Sequence, residues 1–305
     1  AETRKSESMD YLATVLDAVR NAGSKLMYAE NFVYFDGVMG LVEVMAQARK
    51  VGKGKILYQW GTCAHQGSHA PAYDTPSMSG GGAIFNKVCH PLGPVLYLKQ
   101  VEGILAGGQP IRPRKVSAVA LQVLKNQPES CGEHFRVMQN VDDFGRVTIV
   151  FEDETVAEVV GTDLSITGIW NDVSAIADFG RYDVRVNPNN ANELFLPAED
   201  ASGDILFREK LPTAQGTSFP MPKQTYDHGY VNEANDAVGC ALDPEQYPQS
   251  GAMMAWDSMA VLMAAYESSE KDAAFVDISE YVDARDFEPR EMPSPQTLES
   301  VFQKK

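Results

Sequence analysis

Apolar residues Met9, Leu12, Leu16 and Val19 recur at helical spacing and predict an amphipathic helix over 6–22. Ser6 or Ser8 can cap it, Glu7 and Asp10 occupy its first turn, and Gly23 is a natural stop. The compact apolar run KLMYA (25–29) predicts a short buried strand. A second helix is expected over 36–50, with Val38, Leu41, Val42 and Met45 facing inward. Gly52 and Gly54 break it, and ILYQWGTCA (56–64) reads as a strand.

A loop rich in Gly, Ser, His and Pro fills 65–79, and the triplet Gly80, Gly81, Gly82 follows. The stretch 83–101 suits a helix, but Pro91 and Pro94 predict a break or kink near 90. From 114 to 195 the period changes. KVSAVALQVL, RVTIVFE, TVAEVVGT and RYDVRVN are short runs rich in Val, Ile and Thr between turn residues. A polar connection spans 198–224, a last helix 252–268, and a strand lies near 275–278. The Pro-rich acidic stretch after Asp286 reads as a surface extension, and no internal repeat is evident. Helices, a block of strands and a helix predict an α+β fold: an open, mainly antiparallel β-sheet with helices on one face.

The chain has 305 residues, 44% of them hydrophobic and 22% charged, as in an ordinary globular protein. A net charge of −16 argues against nucleic acid or an anionic membrane as partner, since both demand clustered Lys and Arg. No apolar run approaches the roughly 18 residues of a membrane span, and no secretory leader is recognisable. The four cysteines, Cys63, Cys89, Cys131 and Cys240, form no CxxC pair. Reduced thiols of a cytoplasmic protein are the simpler reading. A start at Ala1 rather than methionine implies processing, proteolysis, a removed leader or an engineered start.

Several residues invite chemistry. Asn86 and His90 are four apart and would share one helix face, whereas Lys87, one step round, is expected in solvent. A glycine run at a helix start can cradle phosphate, yet no preceding strand and following Lys-Ser/Thr accompany Gly80–Gly82. His65 and His69, with Cys63, Cys89 and His90, suggest zinc, but their spacing fits no standard pattern, so no metal is expected. Tyr58 and Trp60 can stack on a sugar ring or simply fill a core. Met253, Met254, Met259 and Met263 read as packing residues.

At YAENFVY (28–34), AHQGSHAPAYD (64–74), GGGAIFNKVCHPLG (80–93) and VLMAAYESSE (261–270) the chain resembles the Gfo/Idh/MocA oxidoreductase family. The blocks keep the family's order and approximate spacing and cover most of 1–280. The resemblance implies an N-terminal Rossmann domain for NAD or NADP and a C-terminal sheet domain for substrate and oligomer contacts. It makes residues 1–30 the last helix and strand of the nucleotide domain, 31–285 the substrate and oligomerisation domain, and 286–305 a tail. No GxGxxG stands between a strand and a helix, and no Glu-Lys-Pro segment is present. Most of the cofactor contacts would then lie outside this sequence, and the isolated chain would be inactive. The helix and strand of 1–30 would need cover from a separate nucleotide fragment or a second copy.

The resemblance also assigns roles. His90 becomes the general base on a substrate hydroxyl, a task suited to an imidazole. The family's Asp-x-x-x-His carries Asn here, at Asn86, so the acid is replaced by an amide that cannot share a negative charge. His65 and His69 border the active-site mouth; Tyr58, His228 and Asn31 are candidate substrate contacts, the last two against turn and capping roles. Glu30 and the glycines Gly80, Gly81 and Gly82 are candidates to lie against the cofactor. The implied function is hydride transfer between NAD(P) and a secondary alcohol of a sugar, glycoside or cyclitol, in a homo-oligomer. The alternatives are an inactive sugar-binding or scaffolding homologue and an NAD-dependent glycosidase-like member.

Overall fold

The computed structural model describes residues 2–67, 70–127, 129, 137–165, 169–185, 193–195, 217–218 and 228–295. Helix α1 (Glu2–Asn21) precedes a 3-10 turn at Asn31–Tyr34 and α2 (Asp36–Arg49). Strand β1 (Ile56–Ala64) leads through short α3 (Pro76–Ser79) to a π turn at Ile84–Val88 that runs into α4 (Cys89–Leu105). Strands β2 (Pro113–Leu121), β3 (Phe144–Phe151), β4 (Val156–Thr162), β5 (Trp170–Ala177) and β6 (Gly180–Arg185) follow. The described remainder is β7 (Glu193–Phe195), β8 (Thr217–Ser218), α5 (Tyr230–Leu242), α6 (Ala252–Glu270), β9 (Val276–Asp277) and α7 (Ser279–Asp283).

Among the described residues the strands form one sheet in the order β8-β7-β6-β5-β1-β4-β3-β2-β9. β1 runs parallel to β4, with Tyr58 opposite Val156; the other neighbours are antiparallel. Between Tyr58 and Cys63 alternation sorts β1. Gln59, Gly61 and Cys63 are buried, and the Gln59 amide donates to the Val95 carbonyl of α4 at 3.2 Å. On the same side Ser268 Oγ of α6 accepts from the Ala118 N–H of β2 at 2.9 Å. Tyr58 and Trp60 stand on the opposite face, stacked at 5.4 Å, with the Arg181 guanidinium over Trp60.

One hydrophobic core joins α1, the 31–35 segment, α2, α4, α6 and the sheet. Full burial of side chains such as Leu41, Leu92, Ile149 and Phe35 contributes about 1.5–3 kcal/mol each. Lys99 is buried in the core, donating to Glu102 at 2.7 Å, Asp153 at 2.9 Å and the Ile56 carbonyl at 3.3 Å. It ties α4 to the start of β1 and to the β3–β4 turn. No helix among the described residues is long and apolar enough to cross a membrane.

The structure corrects four expectations. Residues 25–29 form no strand: the Tyr28 N–H is taken by the Ser250 carbonyl at 2.8 Å, and Lys25 Nζ by three carbonyls at the end of α5. Helix α1 is covered by its own chain. Met9 and Leu16 join the core, and Arg20 and Asp17 pair with Glu291 and Arg285. The stretch 286–295 is not a loose extension, because Phe287 packs edge-on against Trp256 and under Arg112. The expected kink near 90 is instead the π turn just before it, one residue wider than an α turn. Pro91 then falls three residues past the π turn, in the first turn of α4, and Pro94 lies inside the helix.

Candidate active site

Three breaks in regular structure meet where β1 ends. The chain leaves β1 at Ala64, α4 begins at Cys89, and the 31–34 turn crosses between them. The space they leave is a cleft of about 180 Å³ lined by Asn31, Phe32, Cys63, His65, His90, Ile169, Asn171, His228 and Tyr230. His90 is partly exposed at the first turn of α4, so its ring reaches the cleft while its helix stays anchored in the core.

Beneath it lies Glu30, whose side chain is 4% exposed. His90 Nδ1 is 3.1 Å from Glu30 Oε1 and 3.2 Å from Oε2. The same carboxylate accepts the Phe32 N–H at 3.2 Å and so caps the 31–34 turn. The Phe32 ring stacks on the imidazole with centroids 5.1 Å apart. Glu30 has room there because Gly93, one turn along α4, carries no side chain: a Cβ at 93 would stand 2.4 Å from Glu30 Cγ.

The rim is polar and partly strained. Asn31 Nδ2 donates to the His228 carbonyl at 2.7 Å. His228 holds a left-handed backbone, φ 51°, and is followed by Gly229 at φ 83°. Such a conformation costs a non-glycine residue about 1–3 kcal/mol and is held in place by its surroundings. Asn171, directly opposite Cys63 in the β1–β5 register, is buried, and its Oδ1 has no hydrogen-bond partner. A buried acceptor left unmet costs about 1–3 kcal/mol, a cost that a donor in the cleft would remove.

Both cysteines here are thiols. Burial pushes Cys63 up to about 12 and raises Cys89 well above the usual thiol range. Glu30, Cys89 and His90 offer three ligand atoms within 4.8 Å of one another, yet the carboxylate is already bonded to His90 and the thiol is held protonated.

The remaining candidates fall elsewhere. Asn86 is not among the cleft-lining residues; its Nδ2 donates to the Gly81 carbonyl at 3.0 Å. Asn86 lies within the π turn, ahead of α4. Gly80, Gly81 and Gly82 do not line the cleft either. The Gly82 N–H is bonded to Asp142 Oδ1 at 3.1 Å and to Tyr266 Oη at 2.9 Å, and a Cβ at 81 would collide with Tyr266. Gly81 packs against Tyr266 and Gly82 against Asp142, and Gly80 takes a left-handed φ of 76° beside the Phe85 ring. Tyr58 is on the far face of the sheet, donating to Glu158 at 2.8 Å. Lys87, expected in solvent, is buried 3.5 Å from Asp163. His69 lies outside the described residues, as does Cys131.

Reading the sequence missed Asn171, Ile169 and Tyr230. The strand carrying Asn171, WNDVSAIA, places Asn171 and Ser174 at buried positions, which hides its alternation. Glu30 was placed at this site, though facing a cofactor; here its oxygens turn to His90 and the Phe32 N–H. The fit to a dinucleotide is therefore one-sided. The described residues provide a cleft with an imidazole, whereas the Gly80 and Gly82 N–H groups are already bonded, the first to the Pro76 carbonyl.

No protein-family model matches the sequence, and no curated protein matches it. Solved structures share the fold. Levoglucosan dehydrogenase in complex with NADH and L-sorbose superposes with a TM-score of 0.64 at 17% identity, over 88% of this chain and 70% of that one. GenD2 from gentamicin A biosynthesis, in complex with NAD, gives 0.63 at 19% identity over 88% and 68%. Aldose-aldose oxidoreductase from Caulobacter crescentus, complexed with glycerol, gives 0.56 at 15% identity over 88% and 68%. Over 88% of its length, then, this chain shares the fold of these three proteins.

Proposed function

We propose that this chain forms the substrate side of an NAD(P)-dependent oxidoreductase acting on a secondary alcohol of a sugar, glycoside or cyclitol. One observation carries the reading: the His90 imidazole opens into a polar-rimmed cleft, in a fold shared with enzymes whose structures hold NAD or NADH. A substrate hydroxyl in that cleft gives its proton to His90 Nε2 as the O–H pair becomes the second C–O bond. The oxidised nicotinamide supplies the acceptor for the hydrogen and electron pair leaving the same carbon. Asn171 Oδ1 meets a second hydroxyl, and Asn31, His65 and His228 border the ring. Phe32 and Ile169 provide the apolar wall that a sugar's C–H face requires. The outer sheet face, with Tyr58 and Trp60 partly exposed, serves as a contact between copies.

The test is nicotinamide reduction by the full-length gene product across a panel of sugars and cyclitols, with NAD and NADP in separate arms. His90→Ala is expected to lower kcat by about 10²–10⁴-fold while substrate binding persists. Binding without turnover, unchanged by His90→Ala, would replace the oxidoreductase with a sugar-binding homologue.

A further inference from the structure

We propose that Glu30 is the positioning residue of His90, fixing the tautomer that leaves Nε2 open to the cleft. The inference rests on the reading of His90 as proton acceptor, and it supplies what the sequence lacks. Asn86 stands where a carboxylate was expected and is turned to the Gly81 carbonyl. The carboxylate beside the imidazole comes from another element, the segment that enters the 31–34 turn.

The argument is one of donors and acceptors. An ionised carboxylate only accepts, so a neutral imidazole facing it must carry its proton on Nδ1. Both Glu30 oxygens lie within 3.2 Å of that nitrogen. Buried as it is, Glu30 takes hydrogen bonds from His90 and the Phe32 N–H. Free imidazole in water prefers the opposite tautomer, with the proton on Nε2, which could not receive a substrate proton. Phe32 stacking then holds the ring plane, and the absent side chain at Gly93 lets the carboxylate approach from below. When the substrate proton arrives on Nε2, the counter-charge is already in place, as in other acid–imidazole pairs.

The experiment uses the 305-residue chain labelled with ¹⁵N-histidine and records two-bond ¹H–¹⁵N correlations above the titration of the ring. The His90 signals are assigned by their loss in His90→Gln. The expected result is a protonated Nδ1 and a bare Nε2 at His90, changing to protonated Nε2 in Glu30→Ala. A wild-type His90 with its proton on Nε2 overturns the proposal, and this holds even if Glu30→Ala does not fold. Zinc co-purifying in stoichiometric amount and bound through Nδ1 overturns it too, since that nitrogen would be a ligand rather than a donor. In the full-length enzyme Glu30→Ala is expected to lower kcat by about 10²-fold with KM little changed. Glu30→Gln should recover part of the loss, because its amide oxygen can still accept from Nδ1. Finding the tautomer without any alcohol oxidation would retain the positioning role and discard the proposed function. Histidine-dependent oxidation with the other tautomer would do the reverse.

Discussion

The clearance at Gly93 makes the coupling between packing and chemistry measurable. Gly93→Ala would put a methyl carbon 2.4 Å from Glu30 Cγ, where ordinary contact begins near 3.4 Å. Helix α4 is clamped in the core by Lys99 and by neighbours such as Leu92 and Leu96, so Glu30 is the partner that yields. A retreat of about 1 Å stretches the His90 contact from 3.1 Å to about 4 Å, outside hydrogen-bond range. Overpacking of this size costs about 1–3 kcal/mol of stability. Misplacing the base should lower kcat/KM by about 10²-fold, or about 2.7 kcal/mol of barrier. The assay is a double-mutant cycle with Glu30→Ala in the full-length enzyme, with urea denaturation alongside. If the methyl acts through Glu30, it costs nothing further once Glu30 is gone. Additive losses, or full activity in Gly93→Ala, would refute the reasoning.

Three further outcomes are expected. Lys99→Met should lose about 3–5 kcal/mol, because it strands the buried Glu102 carboxylate, and adding Glu102→Gln should restore part of it; a double variant no more stable than the single would disprove the role of the charge. Asn171→Leu removes an unmet buried acceptor, so urea stability should hold or rise while KM for the alcohol increases about 10-fold; a destabilised variant with unchanged KM would count against Asn171 as a substrate contact. Hydrogen bonds from Arg146 and Tyr58 hold the Glu158 carboxyl below its ordinary 4.5. Its contribution is present above pH 4.5 and is lost as pH falls through the depressed folded value, so Glu158→Gln should flatten that acid limb; superimposable urea midpoints from pH 5 to pH 2 would sink the claim.

Periodicity located the elements whose burial is one-sided. The α2 stripe Val38, Leu41, Val42, Met45 and the alternating β1 both fold as their patterns require. It failed where partners rather than pattern decide. KLMYA is apolar enough for a strand, yet its backbone bonds to the loop before α6 and to no sheet neighbour. Helix α5 begins at a left-handed Gly229 without a side-chain cap and leaves Val231, Val238 and Leu242 exposed, so neither end nor face announces it. At the site, His90 was legible as an imidazole beside a glycine-rich approach. Its partner was not, because Glu30 lies sixty positions away by sequence separation and only the chain's turn at 31–34 brings it underneath.

The parallel pairing of β1 with β4 also bears on how the chain is made. Strand β1 leaves the ribosome early, but both of its eventual flanks, β4 and β5, are synthesised only after β2 and β3. Until then its edges are unpaired and Trp60 and Tyr58 have no ribbon beside them, a state prone to wrong association. Two antiparallel ribbons can form by short-range closure, and β1 must then insert as the seam between them, a slow long-range step. Synthesis at reduced temperature or with a holdase present should therefore raise soluble yield more than any surface substitution would.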